Sequence, residues 1–298
     1  MPINNGRVDL QLLWTRSGRH QSGFIHTSSN MDIIKRNFFR LLRSGALNEY
    51  VTLEPMTTFK WNRLFQMAAS QNVVTIALKG IKNHQYDTNI HIPQKLILDL
   101  QEMTDKDEQE WFTNPHLSNP TLNKRLKKIR HDERHAIDTS METLQLLDII
   151  IFNVNHILAK GISVRGIIEL GSYLRTRGDK VDFVKLETWL SKLHLQRMAQ
   201  LQGSILIVVF NFEQDEIPFV ENVEREAYPL ILRTLTHTEI DTTKEWHFRE
   251  GKAGFVQNNN KVLRRNLRRS MRYINYSPIE TSSHFIANLV RSLSEIEE

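Results

Sequence analysis

Asp179 and Asp182 follow a Gly-Ser dipeptide at 171–172 and form the first carboxylate pair that could serve nucleotidyl transfer. In that chemistry a Gly-Ser turn lets backbone amides approach a triphosphate, and two carboxylates share two Mg²⁺ ions. The carboxylates stand on alternate residues of a strand, because alternate residues lie on one face. Here they are three residues apart, and Asp182 also fits the N-cap of a helix that begins at Phe183. The spacing favours a helix cap over a catalytic pair.

Glu213 and Asp215 form a second pair, downstream of Gly203-Ser204, and their spacing is the alternate-residue one. The apolar run ILIVVFNF at 205–212 lies between the Gly-Ser dipeptide and Glu213, where a phosphate-binding helix should begin with polar groups. Core packing of this run is therefore the preferred interpretation. Mg²⁺ and a nucleoside triphosphate are expected as cofactors only if one of the two pairs is catalytic. Otherwise the sequence indicates no cofactor.

His131 and His135 are four residues apart and would share one helical face, as metal ligation requires. The metalloprotease pattern places Glu directly after the first His, whereas this chain has Asp132 there. The lysines and arginines around them oppose a divalent cation, so we expect a solvated, charged helix and no metal site. The chain has no cysteine, which excludes disulfides, thiolate catalysis and cysteine zinc sites.

A cluster of basic residues near the C-terminus is the main charge feature. The formal net charge is +5, and six positive charges fall within 261–272 without an acidic residue between them, so the rest of the chain is close to neutral. We expect them to project from a helix over 261–274, and the preferred interpretation is a solvated face paired with the acidic stretch 221–226. The alternative is a face that binds nucleic acid, lipid headgroups or an acidic partner. The candidates are Lys261, Arg264, Arg265, Arg268, Arg269 and Arg272.

The same helix has an apolar stripe, which we expect to face the core. It consists of Val262, Leu263, Leu267, Met271 and Ile274.

Apolar residues recur at helical spacing along most of the chain, which predicts a mainly α, multi-helical fold with at most a small residual β element. Residues 73–78 are compatible with a strand or a helix, and 232–260 with a long loop or hairpin. The apolar stretch 141–152 predicts a central helix. Residues 1–30 are expected to form a flexible arm, with helical regions 31–135 and 136–298 packed as one unit. No segment resembles a signal peptide or a membrane span, so a cytoplasmic location is expected.

Several separated stretches together resemble an uncharacterised nucleotidyltransferase family of Bacteroidota, related to the polymerase-β superfamily. The resemblance spans about residues 32–295 and implies a place in surface-polysaccharide synthesis. The stretches are FFRLLRSG at 38–45, WNRLFQMA at 61–68, HILAKGISVR at 156–165, RSMRY at 269–273 and PIE at 278–280.

The chain departs from that family where the catalytic strands should lie. Only about twenty residues separate His135 from His156, and they read as one apolar helix. The resemblance therefore implies a relative that has lost its catalytic segment and acts as a binding or regulatory module, with another protein or a nucleotide-derived ligand as partner. A divergent active enzyme and a nucleic-acid-binding protein are the alternatives. His156, Arg165 and Glu169 would form a remnant ligand-binding cluster or a structural network.

Overall fold

The computed structural model describes residues 32–104, 115–236 and 255–294. Within these ranges the chain forms twelve α-helices, two 3₁₀ turns and no strand, so the predicted mainly α fold is confirmed. The turns are Gly178–Lys180 and Gln214–Glu216. The helices are α1 (Ile33–Leu47), α2 (Thr58–Ser70), α3 (Val74–Asn83), α4 (Gln94–Thr104), α5 (Pro120–Arg134), α6 (Met141–Ala159), α7 (Val164–Arg177), α8 (Phe183–Lys192), α9 (Gln196–Phe210), α10 (Ala227–Thr236), α11 (Phe255–Tyr273) and α12 (Pro278–Ser294).

Helix α3 contains the segment that the sequence left open between strand and helix. It crosses α1 closely at two glycines. A Cβ added to Gly80 would lie 2.3 Å from the Leu41 carbonyl oxygen, and a Cβ added to Gly45 would lie 2.0 Å from the Ile76 carbonyl oxygen. Only glycine allows two helix backbones to approach so far. Tertiary packing thus overrides the β-propensity of Val73 and Val74.

Helix α6 is the centre of the fold, as its apolar sequence predicted. It contacts α5, α7, α8, α9 and α11, and residues such as Leu146, Leu147 and Ile150 are fully buried. A buried polar link connects it with two neighbours: Asn153 Nδ2 donates to the Gly166 carbonyl at 2.9 Å and to Gln202 Oε1 at 3.1 Å. This link fixes the relative positions of α6, α7 and α9.

The prediction of a loop or hairpin over 232–260 is wrong at both ends of that range, where the chain is helical. Helix α10 continues to Thr236, and α11 begins at Phe255, six residues before the basic cluster. Apolar packing of α10 against α9 explains the first difference, since Ile231 and Leu235 are buried. Residues 237–254 lie outside the described part of the chain, as does the predicted arm 1–30.

Helix α12 is fastened to the start of α5 by a buried carboxylate. Glu280 is fully buried, and its two oxygens accept the backbone N–H groups of Ser118 at 2.5 Å and Asn119 at 3.1 Å. Asn119 caps α5 and also donates from Nδ2 to Ser283 Oγ at 2.9 Å. The C-terminal helices are therefore anchored to the body of the protein. Within the described ranges, no helix is both long and apolar enough to cross a membrane.

Candidate functional site

Asp179 and Asp182 lie at the junction between α7 and α8. Asp179 is in the 3₁₀ turn, and Asp182 caps α8 by accepting the Lys185 N–H at 2.9 Å. The backbone N–H of Asp182 donates in turn to Thr143 Oγ1 at 2.8 Å. The predicted cap is confirmed, and both carboxylates stand in turn and cap positions.

Glu213 and Asp215 also occupy a turn. Glu213 and Glu216 form a reciprocal capping box around the second 3₁₀ turn, in which Glu216 Oε2 accepts the Glu213 N–H at 2.8 Å. Glu216 also pairs with Arg175 at 3.0 Å. Since 32–104, 115–236 and 255–294 contain no strand, neither candidate pair has the strand geometry that two shared Mg²⁺ ions require.

His131 of α5 and His135, which caps the C-terminus of that helix, contact each other. Their ring centroids are 4.3 Å apart, and Nδ1 of His135 lies 2.7 Å from the carbonyl oxygen of His131. The part of the chain that the structure describes contains no group of three or more His, Asp or Glu side chains able to hold a metal ion.

Of the three residues in the remnant cluster, the structure pairs two. Arg165 Nε lies 3.7 Å from Glu169 Oε1, one helical turn away on α7, and Arg165 Nη1 donates to the Asn72 carbonyl at 3.3 Å. Burial raises the pKa of Glu169, and the charge of Arg165 opposes that rise. His156 Nδ1 lies 2.8 Å from the Gly161 carbonyl oxygen, at the end of α6.

The orientation of α11 differs from the predicted one. Tyr273 is buried, Arg265 and Arg269 are half-buried, and these three share one face of the helix. Arg269 donates to the carbonyl of Ala159, where the C-terminus of α6 attracts positive charge. Burial, with Arg265 and Arg272 nearby, lowers the pKa of Arg269 to about 10. Arg265 and Arg269 therefore belong to the packed face of α11.

The outer face of α11, formed by Arg264, Leu267, Arg268 and Met271, points to solvent. Leu267 is 44 % exposed and Met271 is 65 % exposed, so the prediction that they face the core is wrong. The described residues supply neither an ion pair nor a hydrogen bond to Arg264 and Arg268. Glu224, from the acidic stretch, pairs with Arg197 of α9 at 3.3 Å. The side chain of Lys261 lies outside the described part.

Comparisons of the chain with protein-family models, with curated proteins and with solved structures found no match. The nucleotidyltransferase resemblance therefore stays a prediction. The features that bear on function are the geometric ones: candidate carboxylates held in turns and caps, helices without a sheet in the described ranges, and an exposed face of α11 that combines apolar and basic side chains.

Proposed function

We propose that this protein is a non-catalytic interaction module that binds an acidic partner protein through the outer face of α11. The observation that carries the proposal is the exposure of Leu267 and Met271 beside Arg264 and Arg268. The spacing 264, 267, 268 and 271 places all four on one helical stripe. Covering a large apolar side chain that lies in water lowers the free energy, so such side chains favour binding to a partner.

The composition of this stripe supports a protein partner. Met and Arg are enriched in protein interfaces, where apolar contacts form the centre and charged groups the rim. Six of the thirteen large apolar side chains exposed in the described ranges lie between 267 and 290, on α11, α12 and their connection. This concentration supports an interaction surface on these two helices. Arg264 and Arg268 would pair with carboxylates of the partner.

The absence of catalysis is part of the same proposal. Nucleotidyl transfer needs paired carboxylates on a strand beside a phosphate-binding turn, and the four candidate carboxylates occupy turns and caps. A relative of the nucleotidyltransferase family that kept the helical surround without its catalytic strands fits this arrangement.

Site-specific photo-crosslinking tests the partner directly. A benzoylphenylalanine at Met271, in cells that express the protein naturally, should give a discrete protein adduct. The same probe at Val184, which is 77 % exposed on α8, is the control. The adduct should disappear in the double variant Arg264→Glu/Arg268→Glu. Identical patterns from positions 271 and 184, or an adduct that nuclease removes, would contradict the proposal.

Nucleic acid is the second candidate partner, because Arg264 and Arg268 are exposed and have no acidic partner within the described ranges. Fluorescence anisotropy with a duplex DNA and a single-stranded RNA, at several salt concentrations, distinguishes it. Each phosphate contact adds about 0.9 to the slope of log affinity against log salt on duplex DNA. Arg264→Glu/Arg268→Glu should reduce that slope, whereas Lys127→Glu/Lys128→Glu, with the same charge change on exposed positions of α5, should not. Absence of binding at low salt rules this candidate out.

A further inference from the structure

A cleft of about 430 Å³ opens between α6 and α7, away from the outer face of α11. Each helix turns one stripe toward it, since lining residues recur three and four positions apart along both. The lining is mixed: the apolar side chain of Ile149 and the ring of Tyr173 lie beside several polar groups. The lining residues are Pro115, Gln145, Asp148, Ile149, Glu169, Ser172, Tyr173 and Thr176.

Two carboxylates face this cleft with acceptor oxygens that the described residues leave unused. Arg130 donates twice to Oδ1 of Asp148, at 3.1 Å from Nε and 2.6 Å from Nη2, and Oδ2 accepts no hydrogen bond from the described chain. Glu169 has only the 3.7 Å contact with Arg165, which is beyond hydrogen-bond distance. Both side chains are about two-thirds shielded from water or more, at 29 % and 35 % exposure.

The environment of both carboxylates disfavours their charge. Burial raises the pKa of Asp148 although Arg130 and Arg134 oppose it, and burial raises the pKa of Glu169 although Arg165 opposes it. A further hydrogen-bond donor, above all a charged one, stabilises a carboxylate that is partly desolvated in this way.

The polar groups around them set the direction of a ligand. The Tyr173 hydroxyl oxygen lies 2.9 Å from the Glu142 carbonyl oxygen and 3.0 Å from Gln145 Oε1, so its one proton is shared between these two acceptors, and burial raises its pKa to about 12. Its hydroxyl is thus engaged, and its ring is what remains for a ligand. An aromatic ring beside carboxylates suits a cation that has an apolar body.

We propose that the cleft between α6 and α7 is a binding site for a small organic cation, an alkyl ammonium or guanidinium compound. Its cationic head donates to Asp148 Oδ2 and Glu169, and its apolar body contacts Ile149 and the ring of Tyr173. A divalent metal ion does not suit the site, because the described residues bring no third His, Asp or Glu side chain to these two carboxylates.

Isothermal titration calorimetry with agmatine and putrescine tests this site on the full chain. Xylitol, a neutral polyol, serves as the uncharged probe. Glu169→Gln and Asp148→Asn remove the charges while keeping the side-chain shape. Glu187→Gln, at an exposed position of α8, makes the same charge change elsewhere and is the matched control. Thr176→Trp, at the exposed rim of the cleft, blocks entry.

We expect agmatine to bind the wild-type protein and the Glu187→Gln variant equally. Glu169→Gln and Asp148→Asn should each weaken binding about tenfold or more, the effect of losing one charged hydrogen bond. Thr176→Trp should abolish binding, while circular dichroism shows a folded protein. Three outcomes overturn the proposal. The first is no heat from either cation at about 10 mM, since any binding would then be weaker than a millimolar dissociation constant. The second is equal affinity of the Glu169→Gln and Glu187→Gln variants for agmatine, and the third is xylitol binding as tightly as agmatine. The outer face of α11 does not enter this test, so its result is independent of the proposed partner.

Discussion

Replacing Glu280 by alanine should destabilise the protein more than most single substitutions do. The side chain is fully buried, and its carboxylate accepts two backbone N–H groups at the start of α5, those of Ser118 and Asn119. A hydrogen bond to a charged group contributes about 1.5–3 kcal/mol, and a donor left unpaired in the interior adds its own desolvation cost. Because the two bonds share one carboxylate and are not additive, we expect a total loss of about 3–5 kcal/mol.

Glu280→Gln separates the hydrogen bonds from the size of the side chain. Glutamine keeps one carbonyl oxygen for one of the two amides, so about half of the loss should return. Glu187→Ala, at an exposed position of α8, is the control and should change stability by less than about 0.5 kcal/mol.

Urea denaturation followed by circular dichroism measures these differences as changes in midpoint at constant slope. Thermal melts should show a decrease in Tm of about 5–8 °C for Glu280→Ala. A loss below about 1 kcal/mol for alanine, or a glutamine variant no more stable than the alanine one, would refute the assigned role of this carboxylate.

Two further predictions concern α7 and the crossing of α1 with α3. Glu169→Gln should be as stable as the wild-type protein, or more stable, near neutral pH. Burial raises the pKa of Glu169 even with Arg165 in place, which means that the folded state favours the protonated carboxyl. The ionised carboxylate therefore lowers the stability of the wild-type protein above that pKa, and this loss disappears as the pH falls. Melts of both proteins between about pH 4 and 8 should therefore converge at the acid end, and a difference that grows toward acid would contradict the sign. Gly80→Ala should cost about 2–4 kcal/mol, because its Cβ would meet the Leu41 carbonyl oxygen at 2.3 Å. Gly178→Ala, where a Cβ would have nothing within 4 Å, is its control, and equal denaturation midpoints for the two would show that the helix crossing tolerates a methyl group.

Helical periodicity predicted where most helices lie but not which face of α11 is packed. The stripe 267, 271 and 274 is the more apolar one, yet the packed stripe contains Arg265, Arg269 and Tyr273. The reason is tertiary: the C-terminus of α6 offers the Ala159 carbonyl to the guanidinium of Arg269, and the apolar stem of an arginine can lie on a packed face. A hydropathy pattern does not contain this partner.

The same limit applies to the cleft between α6 and α7. Glu169 was singled out through the family resemblance, as one member of a cluster with His156 and Arg165, and in the structure it lies 3.7 Å from Arg165. Asp148 did not stand out, since it is one acid within an apolar helix and its neighbours in the cleft come from α7 and from Pro115. Only the packing angle of two helices brings these carboxylates into one cavity. By contrast, local rules were sufficient for Asp182, because a cap depends on its own helix alone.

Glu280 and Glu169 are both shielded carboxylates, and the difference between them separates a structural role from a binding role. Glu280 has backbone donors for both oxygens, so its removal leaves two amides unpaired and the fold loses free energy. Glu169 accepts no hydrogen bond from the described chain, so its removal leaves no hydrogen-bond donor newly unpaired; it loses the 3.7 Å contact with Arg165 and relieves a desolvated charge. The Glu169 carboxylate faces an open cleft, and the fold would lose no stability without it. A ligand bound there would complete its hydrogen bonding. Glu280→Ala should therefore lower stability, whereas Glu169→Gln should leave it unchanged or raise it, and of these two only Glu169→Gln should change the binding of agmatine. If both lowered stability alike, Glu169 would be a packing residue and the cleft would lose its principal anchor.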